Sequence, residues 1–127
     1  MVTIPNKPYE HLPRSPKLLE AFLFNIYLNE EIIGKINLSI EGRQVWIWGF
    51  EIYKDYQGNG YSKKALNIII NRCRGIELNN KIYHFTKVIL HCYPDNLIAN
   101  NLYKSYGFKL DNPALGGLGN NIYTLNI

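Results

Sequence analysis

The sequence predicts an α+β protein in which a mixed central β-sheet is flanked by helices. Strand-forming runs fill the chain from Ala21 to Tyr53, two amphipathic segments with helical spacing follow, and further strand-like runs lie between and after those segments. Strands therefore come first, and strand and helix then alternate. This order is typical of a mixed sheet whose helices pack on its faces.

The size and composition of the chain predict a single domain over residues 1–127. The chain has 127 residues, and 46% of them are hydrophobic, which is enough for one ordinary core. No apolar run reaches the length of a membrane span, and the polar, proline-rich residues 1–20 do not resemble a signal peptide. We therefore expect a soluble cytoplasmic protein without a membrane partner.

Charge and cysteine usage narrow the classes of partner. The net charge of +4 arises from 14 Lys and Arg against 10 Asp and Glu, which suits an anionic ligand. The basic residues are dispersed rather than gathered on one helix face, so a nucleic-acid partner is disfavoured. Cys73 and Cys92 form no CxxC pair and have no His at ligand spacing, so no metal is expected.

The first half of the chain is predicted to consist of strands. Residues 1–20 are rich in proline and are expected to form an extended N-terminal arm, although Ser15-Pro16 offers the start of a short helix through Glu20. Strand-forming residues and intervening turn signals predict three strands, at residues 21–29, 32–40 and 45–53.

The third of these strands has two notable features. Strict alternation places its large apolar side chains on one face, namely Trp46, Trp48, Phe50 and Ile52. We interpret this face as ordinary sheet packing, with an apolar wall for a substrate as the alternative. Gly49 interrupts the strand and indicates a bulge or a close backbone approach.

The second half of the chain is predicted to alternate helix and strand. Helical spacing predicts helices at residues 62–74 and 97–106, with Gly75 and Gly107 at their C-terminal ends. Residues 76–86 are ambiguous and contain a turn signal at Asn79-Asn80. The remaining segments are predicted strands at residues 87–93, 108–111 and 121–127, with Pro113, Gly116, Gly117 and Gly119 marking the final turn.

A glycine turn joins the third strand to the first helix. Gly58 and Gly60 permit positive φ and a close backbone approach to a ligand. The first N–H groups of the following helix and its positive dipole end favour a phosphate. Alone, this pattern is compatible with an ordinary strand-to-helix turn as well as with an anion site.

Two motifs in sequence order resemble the GNAT superfamily of acetyl-CoA-dependent N-acetyltransferases. The segment Gln57-Gly58-Asn59-Gly60-Tyr61-Ser62 is similar to the pyrophosphate loop of that family. The second motif is similar to a family helix segment and comprises Asn96, Ala99, Leu102, Tyr103, Gly107 and Phe108. The resemblance implies the GNAT fold, in which the mixed sheet splays between the fourth and fifth strands of the family and coenzyme A lies in the gap.

The resemblance also implies roles for individual residues. The backbone N–H of Ile52 would polarise the thioester carbonyl, and Tyr103 would protonate the departing thiolate. The amides of residues 58–62, namely Gly58, Asn59, Gly60, Tyr61 and Ser62, would hold the pyrophosphate with Gln57 at the start of the loop. Asn96 would bind the pantetheine arm, or it is simply a helix N-cap. Lys63, Lys64 and Lys104 would steer the anionic cosubstrate, or they are only solvated charges.

The base that accepts the proton of the amine is left open between three candidates. His91 occupies the strand position where several relatives that acetylate protein N-termini carry Glu, and imidazole titrates near neutral pH. Its alternative role is that of a structural histidine. Glu51 is next to Ile52 but points to the opposite face in a regular strand, so it ranks below His91 unless Gly49 forms a bulge. A chain of water molecules is the third candidate.

This chain departs from the pattern of the family in two places. Ser62 stands where the family usually has Gly or Ala, and residues 1–20 are too short for the strand and two helices that normally wall the acceptor site. The acceptor site would then be open, completed by a partner chain such as a second copy, or lost. We expect acetyl transfer from acetyl-CoA to a primary amine, of a small molecule or a peptide, in a ternary complex. The alternative is a non-catalytic acyl-CoA-binding or protein-interaction module on the same fold.

Overall fold

One mixed sheet of eight strands organises the fold. The computed structural model describes residues 1–112 and 119–127. The strands are β1 (Val2–Thr3), β2 (Glu10–Leu12), β3 (Glu20–Leu28), β4 (Glu31–Glu41), β5 (Gln44–Ile52), β6 (Ile76–Leu78), β7 (Lys81–Tyr83), β8 (Lys87–Cys92), β9 (Lys109–Asn112) and β10 (Asn121–Asn126), and the helices are α1 (Tyr61–Cys73) and α2 (Leu97–Tyr106). The large sheet has the order β1-β3-β4-β5-β8-β10-β9, with β2 also paired to β3, and among the described strands only the β5–β8 pair is parallel. The predicted mixed sheet is thus confirmed.

The N-terminal arm is extended and adds two short strands to the sheet edge. Both β1 and β2 pair antiparallel with β3. Residues Ser15 to Leu18 form a tight turn, in which the two residues exchange backbone hydrogen bonds of 3.0 and 3.3 Å, so the short helix offered by Ser15-Pro16 does not form. The β3–β4 hairpin turns at Asn29 with φ of 56°, a conformation that asparagine tolerates, as the turn signal predicted.

The two predicted helices are confirmed within one residue at their ends. The buried side of α1 is lined by Ala65, Leu66, Ile69, Ile70 and Cys73, which recur at helical spacing. Gly107 ends α2 with φ of 121°, while Gly75 follows α1 without adopting a left-handed conformation. None of the helices in the described ranges is long and apolar enough to cross a bilayer.

Both helices pack on the same face of the large sheet. A row of cross-strand partners on that face runs through Phe22, Leu38, Ile47, Leu90 and Tyr123, and all five belong to one buried cluster with the apolar side of α1. Helix α2 joins the same layer, because the Tyr103 and Tyr123 ring centroids lie 5.8 Å apart. We call this side the helix face.

The opposite side, which we call the open face, is defined by the next row of partners: Ala21, Ser39, Trp46 and Ile89. Within the described residues no α-helix covers it. The N-terminal arm lies over part of this face and borders a cavity there, which is described below. The fold therefore places the helices and their packed core on one side of the sheet and the cavity on the other.

Strands β5 and β8 separate toward their C-terminal ends. Their parallel pairing runs from Gln44 opposite Lys87 to Ile47 opposite Leu90 and then stops. Residues 48–52 of β5 and 91–92 of β8 continue beyond the last pair. This opening in the middle of the sheet is the splay that the motif resemblance implied.

A β-bulge at Gly49 changes which side chains of β5 share a face. Asn37 on β4 pairs with Trp48, whereas Lys35 pairs with Glu51, so two residues of β5 oppose one of β4, and Gly49 has φ of +58°. The prediction that Trp46, Trp48, Phe50 and Ile52 share one face is therefore wrong. Ile52 moves to the helix face, where it is buried, and Glu51 moves to the open face beside Trp48.

The second half of the chain adds a small hairpin and the closing strands. The ambiguous segment 76–86 contains the β6–β7 hairpin, whose turn residues Asn79 and Asn80 have φ of 51° and 65°, as a tight two-residue turn requires. The closing strands β9 and β10 pair antiparallel. Of the four residues expected to mark the final turn, Gly119 has φ of +90°, and Pro113, Gly116 and Gly117 lie outside the described residues.

Both cysteines are buried free thiols in this fold. Burial raises the pKa of the Cys73 thiol from 9.0 to about 12. Burial, and then the charge of Asp95, also raises the pKa of Cys92. A thiol that stays protonated is a poor nucleophile, so both residues act as small apolar side chains at neutral pH.

Candidate active site

The glycine loop between β5 and α1 presents a set of unpaired backbone N–H groups. Gly58 and Gly60 have φ of 81° and 77°, and a Cβ at either position would meet no other atom within 4 Å. In the described part of the chain, the N–H groups of residues 58–63 donate no hydrogen bond. Open space above left-handed glycines, at a helix start without a side-chain cap, fits an anionic phosphate group.

Two side chains hold the glycine loop in this shape. Gln57 Nε2 donates to the backbone oxygen of Ile52 over 2.8 Å, and Asn59 Nδ2 donates to the backbone oxygens of Tyr56 and Gln57 over 3.3 and 3.2 Å. Gln57 thus ties the loop to the end of β5 instead of facing the open space. Tyr61 and Ser62 form the first turn of α1.

The backbone N–H of Ile52 points into the gap between β5 and β8. Tyr53 N–H donates to the Ile33 oxygen over 2.7 Å, so this pair is a hydrogen-bonded pair of the antiparallel β4–β5 ladder. Hydrogen-bonded and non-hydrogen-bonded pairs alternate, and the adjacent Gly34–Ile52 pair is consequently not bonded across the ladder. The polar backbone atoms of Ile52 face away from β4, toward β8.

Gly34 is a residue of this site that the sequence did not reveal. An added Cβ at Gly34 would collide with the backbone oxygen of Glu51 and come within 3.1 Å of the Ile52 Cα. Its φ is not positive, so glycine is required here because a side chain has no space, and not because of the backbone conformation. A single glycine within an 11-residue strand gives no indication of which backbone it approaches, because that depends on the strand register.

Tyr103 lies on the β8 side of the gap. It belongs to α2, the helix that follows β8 in the chain. Its ring packs edge-on against Phe108, with 5.8 Å between the ring centroids. Burial, and then the nearby Cys92, raises the pKa of Tyr103 well above its ordinary value of 10.0. Its hydroxyl has no hydrogen-bond partner among the described residues, and this oxygen is not completely enclosed by protein atoms. Because its pKa is raised, the hydroxyl keeps its proton at neutral pH.

Asn96 adopts the structural role that the sequence left open. Its Oδ1 accepts a hydrogen bond from Ala99 N–H over 3.1 Å, which is an ordinary helix N-cap. Its side chain is exposed, and its Nδ2 donates to no group in the described ranges. The cap leaves the side-chain Nδ2 group of Asn96 for a ligand, so the two roles considered for Asn96 are compatible.

Asn100 is a second residue that the sequence did not reveal. It is 6% exposed, and its Nδ2 donates to the backbone oxygens of Tyr93 and Asn96 over 3.0 and 2.7 Å. Its Oδ1 accepts from Tyr123 Oη over 2.5 Å and from Asn121 Nδ2 over 3.1 Å. This network fixes the start of α2 against β8 and β10, and therefore the position of Tyr103 beside the gap.

A cavity of about 730 Å³ opens on the open face beside the gap. Trp46, Trp48 and Gly49 of β5 line it together with His91 of β8. His91 is exposed and packs edge-on against Trp46 with 5.1 Å between ring centroids. The bulge places Glu51 on the same face, although Glu51 does not line the cavity.

The structure thus brings the predicted residues to two sides of one opening. The glycine loop and Ile52 lie on the β5 side, and Tyr103 and Asn96 lie on the β8 side. His91 lines the cavity on the open face. The lysines considered for steering are exposed, namely Lys63, Lys64 and Lys104, and Lys64 Nζ lies 6.0 Å from the centre of the Tyr61 ring.

A splayed mixed sheet, with a phosphate-type glycine loop at the helix start beside the splay, defines a class of α+β proteins that hold an elongated anionic ligand within the sheet. The acetyltransferase (GNAT) family model matches residues 3–108 of this chain. The chain belongs to the acetyltransferase (GNAT) family, as its two motifs indicated.

Two curated relatives from Bacillus subtilis show the extent of sequence similarity. One, from strain 168, bears the name "Uncharacterized N-acetyltransferase YycN" and is 29% identical over 103 residues, which are 77% of this chain and 62% of the relative. The other, from subsp. natto strain BEST195, is a "Probable spermine N(1)-acetyltransferase" and is 31% identical over 68 residues, or 54% of this chain and 41% of the relative. The chain thus spans less than two thirds of the length of either protein.

Solved structures confirm the fold. The microcin C7 self-immunity acetyltransferase MccE, solved with acetyl-CoA and AMP, has a TM-score of 0.67 at 23% identity, covering 84% of this chain and 61% of that one. RimJ of Mycobacterium smegmatis, solved with a CoA disulfide, has a TM-score of 0.68 at 18% identity, covering 84% and 53%. The predicted GNAT fold is confirmed by this likeness.

Proposed function

We propose that this chain is an N-acetyltransferase that transfers acetyl from acetyl-CoA to a primary amine by direct attack in a ternary complex. The observation that carries the proposal is the splay between β5 and β8, flanked by the unpaired N–H groups of residues 58–63. This combination offers one end of the gap to a pyrophosphate and the other end to an acyl group. Membership of the family supports the same activity.

In this proposal the β5 side of the gap holds acetyl-CoA. The N–H groups of residues 58–62 bind the pyrophosphate, where hydrogen bonds and the helix dipole act together. Gln57 supports the loop from behind through its bond to the Ile52 oxygen. The free Nδ2 of Asn96 donates to the amide-rich pantetheine arm. Exposed Lys63 and Lys64 raise the local concentration of the anionic cosubstrate.

In the chemical step, each residue around the gap then has its own role. The neutral amine attacks the thioester carbon, so that a C–N bond forms and the C–S bond breaks. Ile52 N–H donates to the carbonyl oxygen as negative charge develops there. Tyr103 gives its proton to the departing sulfur, and a base accepts the extra proton of the amine nitrogen.

We propose His91 as that base, because its imidazole lines the cavity on the open face whereas Glu51 does not. Replacing His91 by Asn is expected to lower kcat/KM by about 10²-fold, because the amine then has no side-chain base at the cavity. Glu51→Gln serves as the comparison, since the bulge puts this carboxylate on the same face. A larger loss in Glu51→Gln than in His91→Asn would transfer the role to Glu51, and an unchanged kcat/KM in both variants would favour water.

Binding of acetyl-CoA is tested at the glycine loop. Gly60→Ala forces a Cβ onto a residue with φ of 77° and puts it into the open space beside the loop, so we expect acetyl-CoA affinity to fall at least about tenfold in calorimetry. Gly42→Ala is the matched control, because Gly42 has φ of 61° and open space but lies in the β4–β5 turn. Equal affinities in the two variants, or no acetyl-CoA binding by the unaltered chain, would contradict the proposed site.

The alternative function is a non-catalytic acyl-CoA-binding module. It is distinguished by following free thiol release from acetyl-CoA with a panel of amines. Tight acetyl-CoA binding without turnover of any amine would favour the module. For the acceptor, the relative named as a probable spermine N(1)-acetyltransferase makes a polyamine one candidate class. A small amine and a peptide N-terminus are the others.

A further inference from the structure

The cavity on the open face has an aromatic and apolar lining. Its side chains come from β5, from the end of β8 and from the N-terminal arm. They include Trp46, Trp48, Tyr93, Leu12 and Leu18. Four of these are exposed: Leu12 at 37%, Trp48 at 43%, Tyr93 at 68% and Leu18 at 69%. A volume of about 730 Å³ lies within the usual range of small-molecule sites.

Hydrogen bonds hold the two indoles that form the cavity wall. Trp48 Nε1 donates to Ser39 Oγ over 2.8 Å, and Trp46 Nε1 donates to Glu41 Oε1 over 3.2 Å. The His91 ring packs edge-on against Trp46. Because the polar atom of each indole is already bound, the rings present apolar surface to the cavity in fixed orientations.

The charges around the cavity disfavour a ligand with several positive charges. None of the described residues that line it is Asp or Glu, and the lining includes Lys17. A polyamine would bring several ammonium groups next to this lysine with no carboxylate in the described lining to pair with, because Glu41 and Glu51 lie on the same face but outside the lining. A ligand with one ammonium group is not disfavoured in this way, because an aromatic ring face attracts a single cation without a formal counter-charge.

We propose that the acceptor is a small primary amine with an aromatic body and a single positive charge, and not a polyamine. This inference rests on the proposed acetyl transfer and specifies its substrate class. The aromatic body packs against Trp46 and Trp48, and the amine lies toward the gap between β5 and β8. There it loses its proton before attack, while the apolar wall replaces water around the ring.

The test uses 2-phenylethylamine and spermine as probes. Trp46 and Trp48 are the two tryptophans of the chain, so intrinsic tryptophan fluorescence reports directly on occupancy of the cavity. We expect a saturable fluorescence change with 2-phenylethylamine, and a kcat/KM in the thiol-release assay at least about tenfold higher than for spermine. Saturable binding without turnover of either amine would uphold the ligand class and overturn the proposed transferase activity.

A pair of variants locates the binding site. Trp48→Ala is expected to raise KM for 2-phenylethylamine about tenfold and to leave acetyl-CoA affinity unchanged. Tyr9→Ala is the matched control, an exposed aromatic residue away from the cavity lining, and should behave as the unaltered chain. Preference for spermine, no fluorescence change with 2-phenylethylamine, or equal KM values in Trp48→Ala and Tyr9→Ala would overturn the proposal.

Discussion

Replacing Tyr103 by Phe is expected to lower kcat by about 10²-fold or more while acetyl-CoA still binds. The phenol is the proposed proton donor to the departing thiolate, and Phe retains the ring contacts with Phe108 and Tyr123. Because the Tyr103 hydroxyl has no hydrogen-bond partner in the described part of the chain, its loss should cost little folding free energy. Single-turnover kinetics would measure the loss in the chemical step, and calorimetry would measure the binding of acetyl-CoA.

Tyr106→Phe is the matched control for this substitution. Tyr106 lies one turn further along α2 and donates to Asn67 Oδ1 over 2.9 Å, away from the gap. It should retain full activity. A Tyr103→Phe variant as active as Tyr106→Phe would remove Tyr103 from the chemical step.

The raised pKa of Tyr103 adds a pH criterion to the same experiment. A tyrosine of ordinary pKa 10.0 would be half ionised at pH 10 and would then be a poor proton donor. Because burial raises the pKa of Tyr103, the acid form persists through that pH. We expect kcat of the unaltered chain to show no decline from Tyr103 ionisation up to pH 10.

Gly34→Ala is expected to reduce both stability and activity, although Gly34 carries no side chain that could bind a ligand. The new Cβ would collide with the backbone of β5 at Glu51 and Ile52, and backbone cannot move aside as a flexible side chain can. Overpacking of this kind costs about 1–3 kcal/mol of unfolding free energy. Since displacing a catalytic group by about 1 Å can cost 10²-fold in rate, we expect kcat/KM to fall by a similar factor.

The control for Gly34→Ala is Gly75→Ala. A Cβ at Gly75 would meet only the His84 ring at 3.4 Å, an ordinary contact with a side chain. Urea unfolding curves and kcat/KM should show that Gly75→Ala is close to the unaltered chain. If Gly34→Ala were as stable and as active as Gly75→Ala, the tight packing of β4 against Ile52 would have no functional consequence.

Local pattern predicted most of the elements because their causes are local. Helices α1 and α2 follow from apolar spacing and from the N-cap and glycine at the ends of α2, and the β3–β4 hairpin follows from strand formers around Asn29. The helix offered by Ser15-Pro16 failed for a tertiary reason. The neighbouring segment β2 pairs with β3, and this pairing leads the chain along the sheet edge instead.

The faces of β5 show where the period-two pattern breaks down. The sequence indicates a bulge at Gly49, yet strict alternation through Gly49 predicts the wrong face for Ile52. Only the register with β4 fixes which residues oppose one another there. One inserted residue reverses the side of every residue that follows, which is why the position of Glu51 depended on the bulge.

The sequence by itself determined the family and the two halves of the candidate site. The Gln57–Ser62 loop and the segment from Asn96 to Phe108 are short, and their chemistry is carried by residue type: glycines that accept positive φ, a helix cap and a phenol. These features can be recognised wherever one strand precedes the first helix and another strand precedes the second helix.

Only the tertiary structure decided what these halves enclose. Gly34, Asn100 and the aromatic cavity depend on contacts between residues distant in sequence, such as Gly34 with Ile52, Asn100 with Tyr123 and Trp46 with His91. The point at which β5 and β8 stop pairing is likewise a property of two strands and not of either one. Side-chain type is encoded residue by residue, whereas the space between elements exists only once the register and packing of the whole sheet are set.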